Sequence, residues 1–148
     1  MKNNFTIMVA LLTLILGFSS CEKDKDAEPN KSDIIVGKNW KMSAATISGQ
    51  DVFMSFYDEC ERDNIVTFNK DGKYKEVEGT TKCNSSDPDT YEEGTWSISG
   101  DKLTFRMSGS AASFEADIVQ LDNKTLKYSI VDPIFGSGQV YINTYTAQ

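Results

Sequence analysis

Three features of this 148-residue chain predict an all-β fold, an up-and-down antiparallel meander barrel of about eight strands. Short segments alternate apolar and polar residues with period two, turn residues separate them at near-regular spacing, and no segment of the main domain has a helical period. Near-uniform short connections favour a meander over a Greek key, which needs at least one long crossover. Closing such a meander also removes exposed strand edges.

The elements follow in chain order. Ile34-Ile35-Val36-Gly37 leads into a first strand in which Trp40, Met42 and Ala44 alternate with polar or small neighbours. Ser48-Gly49-Gln50-Asp51 is a turn. Val52 to Tyr57 (VFMSFY) is compatible with a strand, a short helix or a flap. Its aromatic density suits core packing or a lid over a barrel end, and makes Phe53 and Phe56 candidate ligand contacts.

The stretch from Cys60 to Ile98 carries the strongest local signals. Ile65 to Phe68 is a short strand, Asn69-Lys70-Asp71-Gly72 a hairpin turn, and Lys73 to Glu78 the returning strand. Tyr74 and Val77 are the bulky residues of that return, and they cannot share a face without a bulge. Cys60 and Cys83 flank the hairpin, which brings such positions together. A Cys60–Cys83 disulfide is therefore expected, with a loop closure worth roughly 3 kcal/mol. The cysteines lack a Cys-x-x-Cys spacing and the chain has no histidine, so a metal or redox site is the weaker reading. From Thr67 the run TFNKDGKYKEVE partly follows a calcium-loop template. A threonine stands where the first carboxylate is needed, and both flanks are strands, so a plain hairpin turn and no metal are expected.

Lys82 to Thr90 is a loop by composition, and Gly94 to Ile98 resumes a strand with Trp96 and Ile98 on one face. Four further strands follow, with Leu103, Phe105 and Met107, then Phe114, Ala116 and Ile118, then Leu126, Tyr128 and Ile130, then Val140, Ile142 and Thr144 alternating with their neighbours. Asp132 to Gly138 is the longer loop between the last two.

The N-terminus reads as an address. Lys2 supplies a positive start and Phe5 to Phe18 an almost unbroken apolar run, too short at 14 residues to span a bilayer. Ser19-Ser20-Cys21 closes it and resembles a bacterial lipoprotein cleavage box, with Phe18 where leucine is usual. The resemblance implies a signal peptide over residues 1–20 and acyl chains on Cys21 that anchor the protein in the membrane. The other reading is an ordinary secretory signal that leaves an odd cysteine. Residues 21–33 form an acidic, aromatic-free tether, and 34–148 the barrel domain. A bacterial cell-envelope location follows, with the outer membrane expected and the periplasmic or surface leaflet open.

Residues 1–20 carry one basic and no acidic residue, so the remaining chain holds 14 basic and 22 acidic residues, a net charge of −8. That argues against nucleic acid and against electrostatic adhesion to anionic lipid. No histidine, nucleophile motif or phosphate loop is present, so no enzyme is expected. A catalytic pair among Asp58, Glu59, Glu61, Asp63, Glu92 and Glu93 is the one catalytic alternative, and it would need a close, buried carboxylate pair in a cleft.

Gly37-Lys38-Asn39-Trp40-Lys41, Cys60-Glu61, Phe68-Asn69-Lys70-Asp71-Gly72, Lys82-Cys83 and Gly94-Thr95-Trp96-Ser97-Ile98-Ser99-Gly100 together resemble the lipocalin-like domain of small bacterial lipoproteins, over about residues 34–147. The resemblance implies a lipocalin-like, calycin-type barrel closed at one end by a tryptophan, ligand binding, no cofactor and no catalytic residues. The Gly-x-x-Trp spacing is one residue longer than the family's Gly-x-Trp. The expected inward, ligand-contacting set is Trp40, Met42, Phe68, Trp96, Phe105, Phe114, Tyr128 and Ile142, joined by Phe53 and Phe56. A small apolar ligand in or at the mouth of the barrel is the first reading. The second is a non-catalytic interaction module with a filled core, presenting Lys82–Thr90, Val52–Tyr57 or the Pro133–Gly138 loop with Ile134 and Phe135 to a protein or glycan.

Overall fold

A computed structural model describes residues 29–131 and 137–148. The expected signal segment, Cys21, the tether as far as residue 28, and Ile134 with Phe135 lie outside the described residues. The strands are β1 (Asn39–Ile47), β2 (Gln50–Asp51), β3 (Ile65–Phe68), β4 (Lys73–Val77), β5 (Thr90–Ser99), β6 (Lys102–Met107), β7 (Phe114–Leu121), β8 (Thr125–Val131) and β9 (Val140–Ala147). From β3 to β9 each strand pairs with the next, and β1 pairs with both β3 and β9. The result is a closed, eight-stranded antiparallel barrel, as the alternation predicted. The ninth strand, β2, is a two-residue arm folded back on the end of β1.

The turn chemistry explains the meander. Ser48 and Gly49 both sit at positive φ, 49° and 84°, and join Ile47 to Gln50 in the two-residue form that matches strand twist. Gly72, at φ 77°, ends the β3–β4 turn, and its carbonyl accepts from the Trp96 amide at 2.8 Å. At Asp122 one side-chain oxygen accepts from the amides of Lys124 and Thr125, which fixes the β7–β8 turn.

One end of the barrel is plugged. A short helix, α1 (Lys31–Ile35), lies across it, with the Asn30 side chain accepting from the Ser32 amide. The stretch leading into the first strand is thus partly helical, because Ile35 must point into the barrel end, where it is fully buried. Gly37, at φ 70°, reverses the chain, and its amide donates to the Phe68 carbonyl. Trp40 is fully buried, and its indole Nε1 donates to the Ile35 carbonyl at 2.8 Å. Trp96 packs edge-on to Phe68 at 5.4 Å and donates to the Asn69 carbonyl. With Leu103 and Leu126 these residues form a solid core at this end.

The other end is less completely closed, because β3 pairs with β1 only at Asn39–Lys41. Beyond that point residues 52–64 cover the gap. Val52–Tyr57, open between strand, helix and flap, contains a one-turn helix, α2 (Phe53–Phe56).

Three expected faces are corrected by the register. A bulge between Met42 and Ala44 in β1 shifts the phase, so Ala45 rather than Ala44 is buried. On β4, Tyr74 shares the inward face with Glu76 by plain alternation and not with Val77, and the bulge between Glu76 and Val77 places the extra residue, Tyr91, on β5. On β9, Leu126 and Tyr128 of β8 stand opposite Tyr145 and Asn143, so Tyr141, Asn143 and Tyr145 face inward and Ile142 belongs to the other face.

Candidate functional site

The interior is solid at the α1 end and hollow towards α2. One cavity of about 160 Å³ lies among Phe68, Tyr74, Glu76, Glu92, Phe105, Phe114 and Tyr128. A second, of about 210 Å³, opens above it among Met42, Tyr57, Glu61, Asn64, Tyr91 and Asn143. Both touch Val66, Glu76 and Tyr145, so they adjoin. A third, of about 190 Å³, lies beneath α2 against Ala45, Ile47 and Tyr141. All 6 tyrosines of the chain line one or more of these three hollows.

The inner walls are aromatic and interlocked. Phe68 and Tyr74 each lie within ring contact of Phe105, Phe105 of Tyr128, and Tyr128 of Tyr145 at 5.7 Å, nearly parallel. The Tyr128 and Tyr145 hydroxyls are 3.2 Å apart and buried, and burial pushes both phenols above their ordinary range. Gly94, on the inward face of β5, permits this packing. A Cβ there would lie 2.0 Å from the Arg106 carbonyl oxygen and 2.8 Å from the Tyr74 ring.

Two carboxylates enter this aromatic space. Glu76 of β4 and Glu92 of β5 are direct cross-strand partners on the inward face. The Tyr74 hydroxyl donates to Glu92. Glu76 accepts from the Asn64 side chain at 3.3 Å. Burial raises the Glu76 pKa, the Asn64 bond opposes that rise, and the negative charges of Glu92, Glu78 and Glu61 add to it. A raised carboxylate pKa stabilises the fold below the unfolded value, ~4.3, and that contribution is lost as pH rises through the folded value. Glu76→Gln is therefore expected to unfold at a higher temperature than the parent at about pH 7.5, and the gap to shrink at about pH 4. Thermal scans across that range check it, and a parent whose stability climbs steadily with pH relative to the variant would refute it.

The mouth is held by two ties between the same pair of loops. Cys60 and Cys83 form the expected disulfide, with Cα atoms 5.1 Å apart. Three residues on, Asp63 accepts from the Thr80 amide at 2.9 Å, the Thr80 hydroxyl at 2.8 Å and the Thr81 amide at 3.0 Å. Burial acts to raise the Asp63 pKa, but these bonds, with Lys41 nearby, outweigh it and leave the pKa below the ordinary value.

The expected ligand contacts divide among several places. Phe68, Phe105, Phe114 and Tyr128 line the inner cavity, and Met42 the second. Phe56 edges the third, although its side chain is mostly exposed. Trp40 and Trp96 belong to the solid core. Phe53 packs against Tyr57 at 6.2 Å, and neither it nor Ile142 lines these hollows. The expectation overlooked Glu76, Tyr74, Tyr145 and Asn143, and it named Glu92 only among the acids of a possible catalytic pair. The one visible sign was that tyrosine recurs in strands where an apolar filler would pack equally well.

A family model described as a lipocalin-like domain matches residues 35–128, from the end of α1 to the middle of β8. The chain belongs to the lipocalin-like domain family. It shows no significant match to any curated protein. In this lipocalin-like barrel Trp40 closes the end, as the family resemblance implied, and Gly37 makes the turn that delivers it. A barrel of this kind suggests small-molecule binding.

Proposed function

We propose that this protein is a non-catalytic binder of a small organic molecule, held in the barrel interior and mouth and carried on the bacterial envelope by acylated Cys21. The observation that carries the reading is the pair of adjoining cavities that share Val66, Glu76 and Tyr145. Together they reach the lower end of the ~300–1,000 Å³ range of small-molecule sites, and neither is filled by a side chain. A cavity of roughly 150 Å³ with apolar walls is already large enough to take benzene.

Glu76 and Glu92, cross-strand partners on the inward face, are the carboxylate pair that a hydrolytic reading would use, and their surroundings bear on it. Apart from Met107 and the tyrosines Tyr74, Tyr128 and Tyr145, the rest of the inner wall is Val66, Phe68, Phe105, Phe114, Leu126 and Ile130. The apolar side chains offer no donors, and the tyrosine hydroxyls are engaged within the wall, Tyr74 with Glu92 and Tyr128 with Tyr145. Largely apolar walls with engaged hydroxyls favour binding over catalysis.

Native mass spectrometry of the processed chain, purified from its own host, tests the reading. A retained small molecule, released by organic extraction, is the expected result. A clean apo mass from folded protein would favour the second reading, a surface module with a protein or glycan partner. That alternative draws on α2, where Met54 and Phe56 are 71% and 67% exposed.

A further inference from the structure

We infer that the ligand is a small organic cation, its charged nitrogen seated at Glu76 and Glu92 among tyrosine rings and its apolar body in the inner cavity. The inference rests on the pocket reading above and specifies the chemistry of its occupant.

The first reason is the cage of rings. Tyr57, Tyr74, Tyr91, Tyr128 and Tyr145 surround the two adjoining cavities. A ring face carries negative charge density and attracts a cation, more strongly as water is excluded. A tyrosine cage is a general solution for an ammonium group, whereas a neutral apolar ligand would be served as well by phenylalanine and leucine.

The second reason is the sign of the fixed charge. Glu76 and Glu92 face each other across β4 and β5, an arrangement that repels when both are ionised. Among the described residues, the ion pairs are Lys31–Asp101, Lys73–Asp71, Lys82–Asp89, Lys102–Glu115 and Lys102–Asp117. None of them reaches Glu76 or Glu92. Glu61 adds a third acidic side chain at the rim. A bound ammonium supplies the missing counter-charge, and a ligand carboxylate would add to the repulsion. Tyr74 donates to Glu92 and Asn64 to Glu76, so both carboxylates are oriented before the ligand arrives.

The third reason separates an organic cation from a metal ion. No group of three or more carboxylate or cysteine side chains suited to a metal occurs among the described residues. Below the carboxylates the walls are Phe105, Phe114, Leu126 and Ile130, which suit a hydrocarbon body.

The test is isothermal titration calorimetry of the processed protein, cleared of any resident ligand, with three probes of one shape: 1-naphthylmethylamine, 1-naphthylmethanol and 1-naphthoate. The amine is expected to bind about tenfold or more tightly than the alcohol, the difference a charge-assisted bond makes, and the carboxylate more weakly than either. Glu76→Gln and Glu92→Gln, shown folded by thermal unfolding, are expected to bring the amine-to-alcohol ratio towards one. Equal binding of amine and alcohol, a preference for naphthoate, or a ratio that both variants leave intact overturns the cation and leaves the pocket standing. No binding of any probe by folded protein overturns the pocket reading as well.

Discussion

Trp40→Ala is expected to cost about 4 kcal/mol, the largest effect of any single substitution considered, because it removes a large wholly buried aromatic side chain from the closed end. Two losses combine. The indole packs in one cluster with Ile35, Val66, Phe68, Leu103 and Leu126, and truncation leaves a cavity that a closed barrel cannot collapse around. The Ile35 carbonyl, which accepts from the indole Nε1, also loses its partner. Helix α1 has five residues and no stability of its own, so it depends on that bond and on the burial of Ile35. Domains of this kind hold ~5–15 kcal/mol in all, so the alanine variant could consume most of the margin. Trp40→Phe keeps the measurement available. It retains much of the packing, loses the donor, and is expected to cost about 2 kcal/mol. Urea unfolding of both variants checks the order. A loss under about 1 kcal/mol for alanine would mean that Trp40 does not close the barrel.

Removing the disulfide by the double change Cys60→Ser, Cys83→Ser is expected to cost about 3 kcal/mol, the second-largest effect. The bond closes a loop that contains β3, β4 and their hairpin, with 23 residues separating its cysteines along the sequence. Its loss frees the unfolded chain and leaves the bonds of Asp63 to Thr80 and Thr81, with the Gly79 amide on Asn64, to tie the two mouth loops. Hydrogen exchange is expected to quicken most in residues 57–64 and 78–89, where few ladder bonds exist, and least in the paired cores of β6 to β8. A uniform rise in exchange across the barrel would show instead that the bond supports the whole fold. Asp63→Asn made in the double-serine background should add to the mouth effect, because the two ties join the same loops.

The proposed ligand and the pH behaviour of Glu76 have one physical origin. A carboxylate placed against aromatic walls and other acids is unfavourable to the empty fold. A cation that neutralises it would recover that energy on binding, so the site is less stable empty than a neutral isostere would make it. Glu76→Gln should therefore stabilise the protein and weaken its selectivity together. That joint outcome is what separates a binding residue from a tolerated surface acid.

The sequence by itself determined the period of the strands, the places of the turns and the pairing of Cys60 with Cys83. Each of these is written in local chemistry: alternation, Asp-Gly and Ser-Gly turns, and cysteines that flank a hairpin. Tertiary structure alone decided the phase of the strands where both faces carry bulky residues. On β9, Val140 and Ile142 compete with Tyr141 and Tyr145, and only the pairing of Leu126 with Tyr145 resolves which set turns inward. On β4 the pairing of Tyr74 with Gly94 and of Glu76 with Glu92 settles the same question in favour of a glutamate. Alternation reports a period of two but not its origin, and a one-residue shift exchanges the two faces of a strand. The site lies where register was set by long-range pairing, so the acids and tyrosines that compose it became visible only once the barrel had closed.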